Sequence, residues 1–146
     1  MPSITTLQMI SITLKQDISE FFKDDENLRY VVSRQGDRRS TITDRGYEVE
    51  YLAVGMENPF MEPAIVKMME KDVEAISHGG QEFAFVLEGN VELTLGNKKF
   101  ILKKGDVAYF DGDIPHKGIS LSKKPAKTLN IHLIPGRRVG TFEESN

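Results

Sequence analysis

Three histidines and one glutamate are the residues of this sequence best suited to metal chemistry. The histidines are His78, His116 and His132, and Glu82 follows His78 by four positions. On a helix that spacing would place both side chains on one face, but the two glycines between them argue against a helix. On a straight strand the two residues would lie about 13 Å apart. That distance is too long for one metal ion, whose nitrogen and oxygen ligands lie about 2.0–2.2 Å away.

A bend at Gly79 and Gly80 would shorten the distance between His78 and Glu82, because glycine adopts positive φ angles and lets the chain fold back. We therefore expect His78 and Glu82 to converge, with His116, which follows a turn and begins a strand, as the third ligand. Two histidines and one carboxylate form a facial triad with open coordination positions. The triad suits iron, with manganese, nickel and zinc as alternatives; the other interpretation is a former metal site now satisfied by hydrogen bonds and water.

Composition narrows the classes of function. The 146 residues include no cysteine, which excludes disulfide scaffolds, iron–sulfur clusters and thiol catalysis. A net charge of −3 gives no general attraction to nucleic acid or anionic lipid. No apolar run approaches the roughly 20 residues of a membrane helix, and the N-terminus lacks a signal-peptide pattern. We expect a soluble cytoplasmic protein.

Short apolar runs separated by turn residues follow residue 27, which is the pattern of β-strands. Ten short strands at this spacing favour a double-sheet jelly roll or a small barrel, and Gly96-Asn97 predicts a tight hairpin. The predicted strands are Leu28–Ser33, Ser40–Thr43, Glu48–Val54, Ala64–Glu70, Glu82–Leu87, Val91–Leu95, Lys98–Leu102, Asp106–Phe110, His116–Ser120 and Thr128–Ile134.

The beginning of the chain follows a different pattern. Apolar residues at helical spacing predict one short helix over Ile4–Leu14 and a second over Ile18–Phe22. The apolar face of the first helix must be covered by the barrel or by a partner subunit, which favours a homodimer. We divide the chain into residues 1–23 with the two helices, residues 24–136 with the β-barrel, and a solvated tail at residues 137–146.

Two segments resemble the two sequence motifs of the cupin superfamily. They are residues 77–89, Ser-His-Gly-Gly-Gln-Glu-Phe-Ala-Phe-Val-Leu-Glu-Gly, and residues 104–116, Lys-Gly-Asp-Val-Ala-Tyr-Phe-Asp-Gly-Asp-Ile-Pro-His. The resemblance implies a mainly β fold, the cupin double-stranded β-helix or jelly roll, preceded by the two short helices. It implies metal ligation by His78, Glu82 and His116, whereas Ile76 stands where cupins usually have another histidine. Some cupins that oxidise phosphonates use a His-Glu-His set alone.

The chain is also similar to the cupin part of bacterial helix-turn-helix transcriptional regulators, including those of the XRE type. Residues 1–23 resemble the last two helices of their DNA-binding domain, and the rest resembles their sensor domain. The resemblance implies an effector-sensing domain, without a catalytic residue, that binds a small molecule in the barrel with or without a metal. It implies contact with DNA only through a helix-turn-helix region that this chain lacks. The alternatives are a small metal-dependent oxygenase or isomerase, and a structural dimer whose pocket has no function.

Five further residues are predicted to contact the ligand. Apolar lining is expected from Ile76 and Ala84, since such residues form both core and pocket wall. Asn130 and His132 alternate on the last strand and could both point into the barrel, and Tyr109 lies in the second motif. For His132 the alternative is an ordinary buried polar residue, and for Tyr109 it is a position in the core.

Overall fold

The structure of the protein is a computed structural model, and it describes residues 28–136. Within this range the chain forms nine β-strands and one short 3-10 turn at Gln35–Asp37. The strands are β1 (Ser40–Ile42), β2 (Glu48–Tyr51), β3 (Met61–Met68), β4 (Gln81–Glu88), β5 (Val91–Leu95), β6 (Lys98–Leu102), β7 (Val107–Asp111), β8 (His116–Ser120) and β9 (Ala126–Leu133).

The strands form two antiparallel sheets. The larger sheet has the order β1-β2-β3-β9-β4-β7, and the smaller has the order β6-β5-β8. The last strand lies between β3 and β4, and consecutive strands such as β4 and β5 belong to different sheets. The connections that pass from one sheet to the other join the two sheets into the jelly roll that the strand pattern predicts.

The core lies between the sheets, where every second side chain of the long strands is buried. In β3, β4 and β9 buried and half-buried residues alternate along nearly the whole strand, because successive side chains of a strand point to opposite faces. The buried apolar cluster at one end of this interior consists of Val49, Tyr51, Ala64, Val66, Met68, Val86, Val91 and Ala126.

Nine of the ten predicted strands are present. Three have the predicted bounds, Val91–Leu95, Lys98–Leu102 and His116–Ser120. The hairpin between the first two is confirmed, and Gly96 has the positive φ of 61° that such a turn favours. The predicted strand Leu28–Ser33 is wrong: it makes only an isolated bridge from Leu28 to Met56. The segment has no neighbouring strand, and its apolar residues Tyr30 and Val32 are exposed, Tyr30 at 73%.

The predicted fold class needs one correction. The fold is mainly β as expected, but the part of the chain from residue 28 to residue 136 contains no α-helix. Residues 28–136 therefore form a jelly roll without an α-helical layer. The segments of the two predicted N-terminal helices, residues 4–14 and 18–22, lie outside the described residues. Residues 28–136 contain no helix that is long and apolar enough to cross a membrane.

Candidate metal and ligand site

A row of four side chains crosses the inner face of the large sheet. Glu62 of β3 lies opposite His132 of β9, which lies opposite Glu82 of β4, which in turn lies opposite Phe110 of β7. Directly opposed residues of antiparallel strands point to the same face, and all four are buried. The register of the sheet therefore fixes the Glu82 carboxylate inside the roll.

The glycine bend before β4 brings His78 to this carboxylate. Gly80 has a φ of 80°, a conformation that glycine adopts without strain. The backbone N–H of His78 donates to the carbonyl of Gly112, and the N–H of Gly112 donates to the carbonyl of Gly80. These bonds tie the bend to the turn after β7. As the bend predicts, His78 Nε2 lies 2.5 Å from Glu82 Oε1.

His116 completes the triad from the smaller sheet. It is the first residue of β8, and its Nε2 lies 3.0 Å from Glu82 Oε1. Its Nδ1 lies 2.7 Å from the carbonyl of Ile114, and the Nδ1 of His78 lies 2.8 Å from the carbonyl of Gly79. A carbonyl only accepts, so both Nδ1 atoms donate and both Nε2 atoms face the carboxylate.

The donor set fits a divalent metal ion. One ligand atom from each of His78, Glu82 and His116 lies within 4.8 Å of the others. Backbone carbonyls hold the far side of both imidazoles, which is the usual way in which proteins orient metal-binding histidines. Two nitrogens and one oxygen suit iron, manganese, nickel and zinc.

Electrostatics favour a cation between these groups. Burial alone opposes the charged form of Glu82, but hydrogen bonds from His116 and His78 hold the pKa of its carboxyl far below the ordinary value. Burial likewise opposes the charged form of His78, yet the bond to Glu82 raises the pKa of the imidazole. The carboxylate is thus ionised and attracts either a proton on the neighbouring histidine or a metal ion.

Beside the triad lies a second polar pair, His132 with Glu62, of which the sequence analysis named only His132. His132 is fully buried, and its Nε2 donates to the carbonyl of Gly79 at 2.9 Å while lying 3.2 Å from His78 Nδ1. Its Nδ1 lies 3.9 Å from Glu62 Oε2. Among the described residues this Nδ1 and both oxygens of Glu62 lack a hydrogen-bond partner.

The polar pair is neutral around pH 7. Burial raises the pKa of the Glu62 carboxyl to about 8. Burial also lowers the pKa of the His132 imidazole to about 4, more than its bond to Gly79 can offset. The sequence signal for Glu62 would have been its alternation with Ala64 and Val66 along β3, which assigns a carboxylate to a buried strand face.

A cavity of about 170 Å³ opens between the two sheets beside the triad. Glu82 and His116 form part of its wall, and apolar residues such as Val86 and Leu93 form most of the remainder. Three of the predicted ligand contacts, Ile76, Ala84 and Asn130, line this cavity.

Two predicted ligand contacts do not line the cavity. Tyr109 is 61% exposed on the outer face of β7, where its hydroxyl donates to the side chain of Gln81. Its position follows from strand alternation, because its neighbour Phe110 takes the inward direction. His132 does point inward, but its ring packs against the ring of His78, with the ring centres 4.6 Å apart. The structure thus places Tyr109 at the surface and His132 against His78, and contact of either residue with a ligand stays a prediction.

A segment that the sequence did not associate with the site also lines the cavity. The turn between β1 and β2 contributes Thr43, Asp44 and Arg45, and Tyr47 follows them. Thr43 is the last residue of the predicted strand Ser40–Thr43 and the others follow it, and nothing in their local pattern indicates proximity to His116.

Comparison with known proteins agrees with this geometry. A family model described as the cupin domain matches residues 65–132, which include all three residues of the triad. The likeness to the cupin family thus covers slightly less than half of the chain. An uncharacterized protein of Methanocaldococcus jannaschii is 36% identical over 66 residues, 45% of this chain and 53% of that protein. The matched region thus spans about half the length of this relative.

Solved structures share the cupin fold. Hydroxypropylphosphonic acid epoxidase from S. wedmorenis is 22% identical with a TM-score of 0.65, covering 90% of this chain and 75% of that chain. The structure of FeII HppE is 20% identical with a TM-score of 0.66, covering 90% and 76%. An RmlC-like cupin from Shewanella frigidimarina is 12% identical with a TM-score of 0.57, covering 71% and 90%. At these identities the likeness establishes the fold alone, and the regulator part of the resemblance gains no support.

Proposed function

We propose that this cupin domain binds a divalent metal ion through His78, Glu82 and His116 and holds a small molecule beside it in the cavity. The observation that carries the proposal is the convergence of two imidazole Nε2 atoms and one ionised carboxylate within 4.8 Å. Glu82 and His116 also line the cavity between the two sheets. Three protein ligands leave coordination positions free for a substrate.

Metal-dependent catalysis of the non-haem iron type is the activity that this arrangement supports best. A bound ion would supply Lewis-acid or redox chemistry at its open positions. Glu82 and His116 would hold it from the cavity wall, while His78 would hold it from the glycine bend. The apolar wall would exclude water from the ligand. Support also comes from FeII HppE, which has the same fold and whose structure is described with FeII.

A role as the effector-sensing domain of a transcriptional regulator is the competing proposal from sequence resemblance. It would use the same cavity, but a sensor needs no open metal position and no turnover. Within residues 28–136 the open triad beside the cavity favours the enzyme over the sensor.

Metal content tests the first step of this proposal. Protein purified without chelator should carry about one divalent ion per chain, measured by inductively coupled plasma mass spectrometry, since the donor set is complete. Glu82→Gln and His116→Ala should lose the ion because each removes a ligand. Glu88→Gln, an exposed glutamate at the end of the same strand, is the matched control and should retain it.

Nitric oxide tests the open coordination position. Added to the Fe²⁺-loaded protein without oxygen, it should give the electron paramagnetic resonance signal of a ferrous nitrosyl complex. A folded wild-type protein that binds no divalent ion would overturn the proposal, and so would Glu82→Gln with unchanged metal content. An Fe²⁺-loaded protein that does not react with nitric oxide would retain the metal site and refute the catalytic role.

A further inference from the structure

The turn between β1 and β2 is held across the cavity by two hydrogen bonds. The hydroxyl of Tyr47 donates to the carbonyl of Gly118 in β8 at 2.7 Å. The Nη2 of Arg45 donates to the carbonyl of Glu74 at 2.6 Å. These bonds connect the turn to both the smaller sheet and the loop before the triad, so Arg45 has a fixed place at the cavity wall.

Arg45 carries a positive charge that no carboxylate of the described residues neutralises. Within residues 28–136 no acidic group lies at ion-pair distance from its guanidinium, whose carbon lies 4.9 Å from the centre of the Tyr47 ring. By contrast Lys117, the other cationic residue of the cavity wall, pairs with Asp72 at 2.8 Å. Asp44 also borders the cavity, but it is exposed to water. The half-buried arginine is therefore the cationic group left to meet a ligand.

The rest of the cavity indicates what that ligand must look like. Its wall is mainly apolar, with Val66, Val86 and Leu93 among its residues, and its volume is below the range of about 300–1,000 Å³ that is usual for ligand pockets. At the triad, a divalent ion with the single charge of Glu82 would leave a net positive charge. A small molecule with an apolar body and an anionic group matches these features, because charges of opposite sign attract strongly in an apolar site.

We propose that the cavity binds a small organic anion whose carboxylate or phosphonate group is recognised by Arg45. The inference rests on the proposed function for the metal end of the cavity, but the contribution of Arg45 does not require the metal. Arginine suits this role because its planar guanidinium forms paired hydrogen bonds with both kinds of anionic group.

Calorimetric titration with three probes of similar size tests the inference. The probes are butyrate, propylphosphonate and the uncharged butyramide, each added to metal-free and to Zn²⁺-loaded protein. One of the two anions should bind at least roughly tenfold more tightly than the amide in both forms. The affinity ratio of butyrate to propylphosphonate identifies which anionic group the site prefers.

Substitution of the arginine isolates its contribution. Arg45→Gln should remove most of the preference for the anion, and Arg45→Lys should restore part of it because the charge remains. Arg38→Gln is the control, since Arg38 pairs with Glu50 and lies outside this cavity. Circular dichroism and metal content are measured on every variant.

Equal affinity for butyramide and the anions, binding by none of the probes, or an unchanged preference in Arg45→Gln would overturn this inference. Its failure is distinguishable from failure of the proposed function. A protein that retains its metal without preferring anions refutes the role of Arg45 alone. A protein that binds anions through Arg45 but never binds a divalent ion refutes the metal site alone.

Discussion

Gly112 in the turn after β7 lies so close to His78 that a methyl group there should disable the metal site. A Cβ at this position would lie 2.5 Å from His78 Nδ1 and closer still to Cε1, whereas ordinary contacts begin at 3.4 Å. Gly112→Ala must therefore displace the imidazole or the turn by about an ångström. Both are held, the ring by Glu82 and the turn by its hydrogen bonds to the glycine bend.

The magnitude follows from the geometry of metal coordination. Metal–ligand distances tolerate deviations of only about 0.2 Å, so a displacement of this size should weaken metal binding by about 10- to 100-fold, as loss of a supporting contact does. The cost to folding should be about 1–3 kcal/mol, the usual effect of inserting a methyl group into a packed site. The substitution thus acts mainly on the metal site.

Chelator competition with Zn²⁺ and with Fe²⁺ measures the affinity, and thermal unfolding measures stability on the same samples. Gly36→Ala is the matched control, since a Cβ at Gly36 meets no atom within 4 Å, and it should bind metal as the unaltered protein does. If folded Gly112→Ala binds metal with unaltered affinity, the positioning of His78 by this turn is refuted.

Three other predictions follow from the same region. The pKa of Glu62 is about 8 in the folded protein against an ordinary 4.5, so the folded state binds the proton more tightly than the unfolded chain. The free energy of unfolding should therefore fall by roughly 5 kcal/mol as pH rises through this window. Glu62→Gln should flatten the pH profile of urea unfolding, and an equally steep profile would contradict this. Metal content after dialysis should fall as the pH is lowered, and it should begin to fall above the ordinary titration range of histidine, because His78, whose pKa is raised, must be deprotonated to bind. Constant metal content would rule this competition out. Ile76 lines the cavity, and its backbone is hydrogen-bonded to that of His116. Ile76→His should therefore raise the metal affinity and weaken nitric oxide binding. An unaltered metal affinity and unaltered nitric oxide binding would show that a side chain at position 76 does not reach the metal.

The sequence predicted strands correctly wherever apolar and polar residues alternated regularly. The runs at residues 91–95 and 98–102 have their predicted bounds because a glycine turn separates them. The segment at residues 28–33 has the same apolar composition, but it failed as a strand because no neighbouring strand is available to it. The homodimer, the division into residues 1–23, 24–136 and 137–146, and the cytoplasmic location stay predictions.

Sequence by itself determined the metal triad as a hypothesis, because residue type, spacing and the two glycines are local properties. His78 and Glu82 are four residues apart, and the glycines between them permit the bend that joins them. The cupin motifs also marked His116 before any distance was known.

Only the tertiary structure decided which other residues surround the triad. The order of strands in the large sheet places Glu62 beside His132, and the turn after β1 reaches the cavity from a remote part of the chain. Strand register similarly turned Tyr109 outward. Pairing between distant strands depends on how the whole sheet packs, and no local pattern of residue types encodes it.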